Sequence, residues 1–348
     1  MIRLMLVDDS KFMRTFTKNL IMEDGEIQVV KEAKNGEDAL QQITNDIDVV
    51  LLDIEMPKLT GLEVLERWNK ENIEIPVIMF SSLTRKGAEE TIKALDLGAF
   101  DFIEKPHNPI LLNKKKDEII SKIKMASNQT KRKRRLPSNN AIVTAQPITK
   151  RNTSSEISSS IKNLVLIGCS TGGPKALKEI IPMFPGNLNA AILIVQHMPS
   201  GGYTKSLADS LNKTSQLNVY EAQNGQTVEN GCVYIAPGGK QMKINLSGNI
   251  VLTDDSPENG HAPSVDYMFR EVFKKKGNYN LVPVVLTGMG GDGSKESLRL
   301  SKGGLEIIVE SENTCVVFGM PKKVIESGAK NIALDLEKIP NKIIEKLK

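Results

Sequence analysis

Residues 164–174 read Leu164-Val165-Leu166-Ile167-Gly168-Cys169-Ser170-Thr171-Gly172-Gly173-Pro174. An apolar run stops at Gly168, small residues surround Ser170, and Pro174 suits the first turn of a helix, where its missing N–H would have no partner anyway. The stretch predicts a strand that turns sharply into a helix, with a serine at the bend. Gly168, Ser170 and Gly172 match G-x-S-x-G, a spacing that lets a tight turn expose a seryl Oγ and leaves backbone N–H groups free to hold an oxyanion. The same loop could cradle a phosphate or be a plain turn. What the other strand ends carry must decide.

Outward from this stretch, apolar periodicity holds from Ile161 to the C-terminus and predicts a second α/β domain. Strands are expected at 163–168, 191–196, 218–222, 232–236, 240–245, 250–253, 281–286 and 305–309, with helices opening near Pro174, Tyr203, Ser264, Ser294, Met320 and Lys338. Ser247-Gly248-Asn249 marks the bend of a β-hairpin inserted among the βα units. His197 follows Ile192–Gln196 directly, and Asp292 sits in Thr287-Gly-Met-Gly-Gly-Asp-Gly293 after another apolar run. If these strands are parallel, Ser170, His197 and Asp292 share the sheet edge where ligands bind.

A serine hydroxyl needs an imidazole to take its proton and a carboxylate to hold that imidazole in the right tautomer. Ser170, His197 and Asp292 supply one of each, in a chain order that matches neither the chymotrypsin, the subtilisin nor the α/β-hydrolase order, so the chemistry would be convergent. Rivals are weaker. His261, in Glu258-Asn-Gly-His-Ala-Pro-Ser264, is expected to lie away from any strand end. Asp266 falls at a helix start, where a carboxylate serves the helix dipole. Cys169 adjoins the nucleophile, but its place at the strand end predicts an inward, apolar role.

Upstream, residues 1–125 alternate short apolar runs with amphipathic stretches. Strands are expected at 4–7, 29–31, 48–52, 76–80 and 101–103, and helices near Lys11, Gly36, Thr60, Lys86 and Pro109, which together make a doubly wound parallel sheet of (βα)5 type. Asp8 and Asp9 follow the first strand, Asp53 the third, Ser81 the fourth, and Lys105 the fifth. Carboxylates gathered at one edge repel unless a hard cation sits among them, and Mg²⁺ suits oxygen ligands and an incoming phosphate. Between 126 and 160 Ser, Asn, Thr, Pro, Gln and basic residues dominate, which predicts a flexible basic linker to a domain spanning 161–348.

The 348 residues suffice for two cores, and 40% apolar with 25% charged residues describes a globular chain. The net charge of +4 owes much to Lys131–Arg135, a run with no interleaved aromatics to stack on bases, so no nucleic-acid partner is expected. Three scattered cysteines without a C-x-x-C pair exclude a disulfide framework and fit a reducing cytoplasm. Neither a signal-peptide core nor a long apolar span stands in the sequence, so export and membrane insertion are not expected.

With Leu51-Leu52-Asp53-Ile54-Glu55-Met56-Pro57 and the strand-end residues above, the first third resembles the receiver domain of bacterial response regulators. The resemblance implies Asp53 as phosphoacceptor. It implies Mg²⁺ on Asp8, Asp9, Asp53 and the carbonyl of Glu55, and Ser81, Lys105 and the aromatic Phe102 as the switch. Gly168-Cys-Ser-Thr-Gly-Gly-Pro174, Gln196-His-Met-Pro199, Tyr234-Ile-Ala-Pro-Gly238, Pro263-Ser-Val-Asp266 and Leu286–Gly293 resemble the catalytic domain of chemotaxis protein-glutamate methylesterases. That likeness implies Ser170 as nucleophile, His197 as base, Asp292 as its partner and the Met289 N–H as an oxyanion donor, with no cofactor in this domain.

The same resemblance implies the substrate: glutamate γ-methyl esters on methyl-accepting chemotaxis receptors, with glutamine deamidation as a related activity. A chemotaxis histidine kinase would be the phosphodonor, and the enzyme would work in the cytoplasm at membrane receptor arrays. The unphosphorylated receiver would restrict the active-site edge. The chain departs from the family at Ala262, where an arginine is usual. Two alternatives are open to test, a DNA-binding regulator, which would need a helix-turn-helix after the linker, and a nucleotide-binding module, whose P-loop Lys-Ser/Thr is missing.

Overall fold

In the computed structural model the alternating pattern becomes two separate parallel sheets. The structure describes residues 1–82, 84–106, 108–133 and 161–348. The chain divides into two units, taken here one at a time.

The first unit runs β1 (Ile2–Val7), α1 (Lys11–Met22), β2 (Ile27–Ala33), α2 (Gly36–Gln42), β3 (Val49–Asp53), α3 (Gly61–Lys70), β4 (Val77–Ser82), α4 (Arg85–Asp96), β5 (Asp101–Lys105), α5 (Pro109–Lys114) and α6 (Lys116–Lys133). Strand order is β2-β1-β3-β4-β5, all parallel. Every residue of β3 is buried, as expected of a strand covered by helices on both faces, and that is why it reads as a continuous apolar run. Polar caps set the helix starts: Asn35 Oδ1 accepts from Asp38 N (2.9 Å), and Thr60 and Glu63 form a capping box. Val7 pairs with Leu52 and Asp53 with Phe80, so the residues just beyond β1, β3 and β4 meet at one edge.

One expectation is corrected here. The last helix does not stop at 125 but continues to Lys133; Ala126 and Ser127 are still buried, so its packed face runs past the point where the composition turns polar. The rest of the expected linker, 134–160, lies outside the described residues.

The second unit runs β6 (Asn163–Cys169), α7 (Gly173–Ile180), β7 (Ala191–Gln196), α8 (Tyr203–Thr214), β8 (Asn218–Glu221), β9 (Cys232–Ile235), β10 (Gln241–Ile244), β11 (Ile250–Thr253), α9 (Val265–Phe273), β12 (Asn280–Val285), α10 (Ser294–Lys302), β13 (Ile307–Glu310), α11 (Met320–Glu326), β14 (Asn331–Leu334) and α12 (Ile339–Lys346). The seven-stranded sheet has the order β14-β13-β12-β6-β7-β9-β8 and is parallel throughout. β10 and β11 form the separate antiparallel hairpin. β14 was not expected from the sequence.

In α9, Val265, Met268, Phe269 and Val272 recur at helical spacing and are fully buried among core residues that include Leu164, Leu166 and Val285. Truncating Phe269 to Ala would cost about 3–5 kcal/mol. This packing fixes where the N-terminus of α9 ends up, which matters below. Among the described residues no helix is long and apolar enough to cross a membrane.

Candidate active site and phosphoacceptor site

β12, β6 and β7 are neighbours in the second sheet, so the residues following them converge as the sequence predicts. Ser170 N donates to the Thr287 carbonyl (3.0 Å), which ties the end of β6 to the end of β12. His197 N donates to the Cys169 carbonyl (3.0 Å). Gln196, whose importance sequence reading missed, spans the two: Nε2 donates to the carbonyls of Ser170 (3.0 Å) and His197 (3.1 Å) while Oε1 accepts from Cys169 Sγ (3.1 Å). Cys169 is fully buried and burial pushes its thiol up, so it is no nucleophile. Gly172, at φ 80°, caps α7 in a left-handed conformation, and a Cβ there would stand 2.5 Å from Val316 Cβ.

His197 Nε2 lies 2.8 Å from Asp292 Oδ2. Asp292 takes four further hydrogen bonds. Oδ2 accepts from Val265 N (2.7 Å), and Oδ1 from Ser264 Oγ (2.9 Å), Asn259 Nδ2 (2.8 Å) and Asp266 N (3.1 Å). Burial alone would raise this carboxyl, but His197, Asn259 and the Val265 N–H at the positive end of α9 outweigh it and hold the group well below the carboxylate range. An ionised carboxylate only accepts, so His197 Nε2 must donate, and Nδ1 is the ring's other nitrogen. Nδ1 is buried and has no hydrogen-bond partner among the described residues. No hydrogen bond joins it to Ser170.

The loop after β12 packs against Ser170: a Cβ on Gly288 would lie 2.9 Å from Ser170 Cβ. Gly288 N donates to Val317 O (3.0 Å), and Gly288 O accepts from Gly319 N and Met320 N. Among the described residues nothing accepts from the Met289 N–H, which leaves it available to an incoming oxygen. Behind the loop, buried Glu310 accepts from Thr287 N (2.8 Å).

The two rivals end up differently. Asp266 accepts from Glu296 N (2.9 Å) and Asn259 Nδ2 (2.8 Å), not from His197, and burial, with the nearby Asp292 charge, raises it to about 6. His261 does not lie apart, contrary to expectation. Its ring stacks on His197 with centroids 3.8 Å apart and planes 12° from parallel. A turn folds the chain back, and strand-end logic cannot see a turn; the Asn259-Gly260 pair was the available signal. Ala262 contributes a carbonyl to Gly239 N (2.8 Å), and no guanidinium stands at this position.

In the first unit, ligand oxygens of Asp8, Asp9 and Asp53 lie within 4.8 Å of one another. Lys105 Nζ pairs with Asp53 and with Asp8 (2.7 Å). Burial, aided by the Asp8 charge and opposed by Lys105, raises Asp53 to about 7. Converging carboxylate oxygens, hard donors with a surplus of charge, fit Mg²⁺. Ser81 Oγ is engaged by α4, donating to Gly87 O (3.2 Å) and accepting from Thr91 Oγ1 (2.6 Å), while the exposed-side neighbour Ser82 donates to the Glu55 carboxylate (3.0 Å). Phe102 is buried, with the Lys122 ammonium 5.4 Å from its ring centre and on its carbonyl (2.6 Å).

Comparison with known proteins agrees with both halves. Residues 4–116 match the response regulator receiver domain family and residues 165–343 the CheB methylesterase family. A protein-glutamate methylesterase/protein-glutamine glutaminase of Clostridium acetobutylicum is 40% identical over 99% of this chain and 97% of its own. The Bacillus subtilis protein of that description is 43% identical over 94% of this chain and 93% of its own. The crystal structure of the Thermotoga maritima CheB methylesterase catalytic domain, 43% identical, covers 53% of this chain and 98% of its own with a TM-score of 0.50. The chain belongs to the CheB-type protein-glutamate methylesterases/protein-glutamine glutaminases, chemotaxis enzymes regulated by a receiver domain.

Proposed function

We propose that the enzyme hydrolyses glutamate γ-methyl esters on methyl-accepting chemotaxis receptors through an acyl-enzyme on Ser170, with His197 as base and Asp292 as its fixed anion. The observation that carries this reading is the 2.8 Å His197–Asp292 hydrogen bond, which occupies Nε2 and leaves Nδ1 as the nitrogen of that ring open to a proton from Ser170. Ser170 Oγ attacks the ester carbonyl carbon as its proton passes to Nδ1. The Met289 N–H holds the oxyanion. The C–O bond to the methoxy group breaks as Nδ1 returns the proton to the leaving oxygen, and methanol departs. Water then adds to the acyl group, again losing its proton to Nδ1, and Ser170 leaves with that proton as the glutamate carboxylate forms. For glutamine the departing group is ammonia. Asp292 stays ionised throughout and stabilises the imidazolium.

Regulation would start at Asp53, phosphorylated by a chemotaxis histidine kinase. Asp8, Asp9, Asp53 and the Glu55 carbonyl would hold Mg²⁺, which when bound neutralises charge on the incoming phosphate. Lys105, already on Asp53 and Asp8, would pair with the acyl phosphate. The Ser81 hydroxyl would leave Gly87 and Thr91 for a phosphoryl oxygen, and Phe102 would follow. The modified receiver would release the active-site edge. A methanol-release assay on methylated receptor, with and without a phosphodonor, tests the whole. Ser170→Ala should lower turnover by about 10⁶ while receiver phosphorylation proceeds; substantial residual methanol release would overturn the assignment.

A further inference from the structure

Residues 258–261 form a two-residue hairpin. Glu258 N donates to His261 O (3.0 Å) and His261 N to Glu258 O (2.9 Å). Asn259 and Gly260 both have positive φ, 55° and 80°, the conformation of the type I′ turn for which Asn-Gly is favoured. Glu258 is held by a two-pronged pair with Arg270 of α9 (2.6 and 2.7 Å). The hairpin is thus anchored to the helix whose N-terminus holds Asp292.

Two side chains of this turn reach the His197–Asp292 pair. The Asn259 amide donates to Asp292 Oδ1 and to Asp266 Oδ2, each at 2.8 Å. The His261 ring lies flat on His197, 3.8 Å between centroids. We propose that the Asn259-Gly260 turn is a positioning device for the esterase reaction, Asn259 fixing the orienting carboxylate and His261 fixing the plane of the imidazole. It rests on the reading of His197 as the base.

Asn259 sits between two buried carboxylates, and its two amide protons, one for each, let both stay in place. With Ser264 and the Asp266 N–H it holds Oδ1, so that Asp292 cannot turn its oxygens over and Oδ2 stays on His197. The single hydrogen bond to Asp292 fixes one corner of the imidazole but allows the ring to swing about that bond. A flat ring at stacking distance denies the swing and keeps Nδ1 in one place. His261 acts here by its shape, not by its proton, and neither residue touches the reacting atoms.

The test is steady-state methanol release from methylated receptor by the full chain. Asn259→Gly removes the amide while glycine takes the positive φ without strain. His261→Ala removes the stacked ring and His261→Phe restores a flat one. Asn259→Gly should lower kcat on the order of 10- to 100-fold, the scale of one charge-assisted hydrogen bond, and His261→Ala roughly 2- to 10-fold, the scale of an aromatic contact, each with KM unchanged. His261→Phe should recover most of the loss, and Asn259→Gly should stay folded at the assay temperature, its unfolding midpoint lowered by the loss of the two hydrogen bonds. Unchanged kcat in Asn259→Gly would overturn the proposal, as would a His261→Phe enzyme no better than His261→Ala. Ser170→Ala in the same assay separates the two readings. If it is inactive while the turn variants are unimpaired, only the positioning role falls, whereas an active Ser170→Ala removes the nucleophile assignment beneath it.

Discussion

Asp53 and Asp292 are each 3% exposed and each stands at the carboxyl edge of a buried parallel sheet, yet their protons behave oppositely. Asp53 is raised to about 7 by burial, with the neighbouring Asp8 charge adding to it, although Lys105 pulls the other way. Its backbone donor is a single, long N–H from Glu55 (3.3 Å). Asp292 is equally buried, but His197, Asn259, Ser264 and two N–H groups at the start of α9 surround it, and it is held far down. Burial does not decide the charge; the number and sign of the groups aimed at the oxygens do. A permanent anion suits a group that must orient an imidazole. A carboxyl near the edge of ionisation suits one that exchanges its neighbours for a cation and a phosphoryl group.

The largest effect should come from removing the permanent anion. Asp292→Asn keeps the shape but presents an amide to His197, and kcat for methanol release should fall on the order of 10⁴; a loss under tenfold would show that the charge and tautomer are set elsewhere. A smaller change should come from thinning the donors around Asp292. Ser264→Ala deletes one of them and also the side-chain cap of α9, so a kcat loss of roughly tenfold and about 1 kcal/mol of stability are expected. Wild-type kcat in Ser264→Ala would mean that the remaining donors suffice.

The effect at Asp53 leaves catalysis aside and appears without substrate. Its folded-state affinity for a proton exceeds that of the unfolded chain, so its contribution to stability is full below the ordinary carboxylate range and lost as pH rises through about 7. In chelator-treated protein, Asp53→Asn should therefore gain stability over wild type as pH rises from 4 to 8, by up to a few kcal/mol. Denaturation midpoints across that range would check it, and parallel pH dependences for the two proteins would break the contrast with Asp292.

Strand-end residues were legible because a buried parallel strand is a near-continuous apolar run, and the polar residues in the loop that follows mark the edge. Asp8, Asp53, Ser170, His197 and Asp292 were found this way, and the neighbouring order of β12, β6 and β7 is what brings the last three together. β14 escaped because it is four residues long and only partly buried, so no apolar run announces it. Gln196 and Glu310 escaped because they bond to backbone groups of distant loops, and no side-chain pattern encodes that. His261 was misplaced for the opposite reason: its neighbours in sequence carry the turn that returns it to the site. The continuation of α6 was hidden by composition, since Ser, Asn and Lys, which suit a tether, are also tolerated in a helix.

The nitrogen that His197 gives to Asp292 has a regiochemical consequence. In the chymotrypsin-type arrangement the carboxylate holds Nδ1 and Nε2 serves the serine; here the carboxylate holds Nε2. On the mechanism proposed above the imidazole would be used the other way round, as though the ring had been turned over between two fixed partners. An electrophilic ester mimic that alkylates the base would accordingly leave its adduct on the π nitrogen rather than the τ nitrogen.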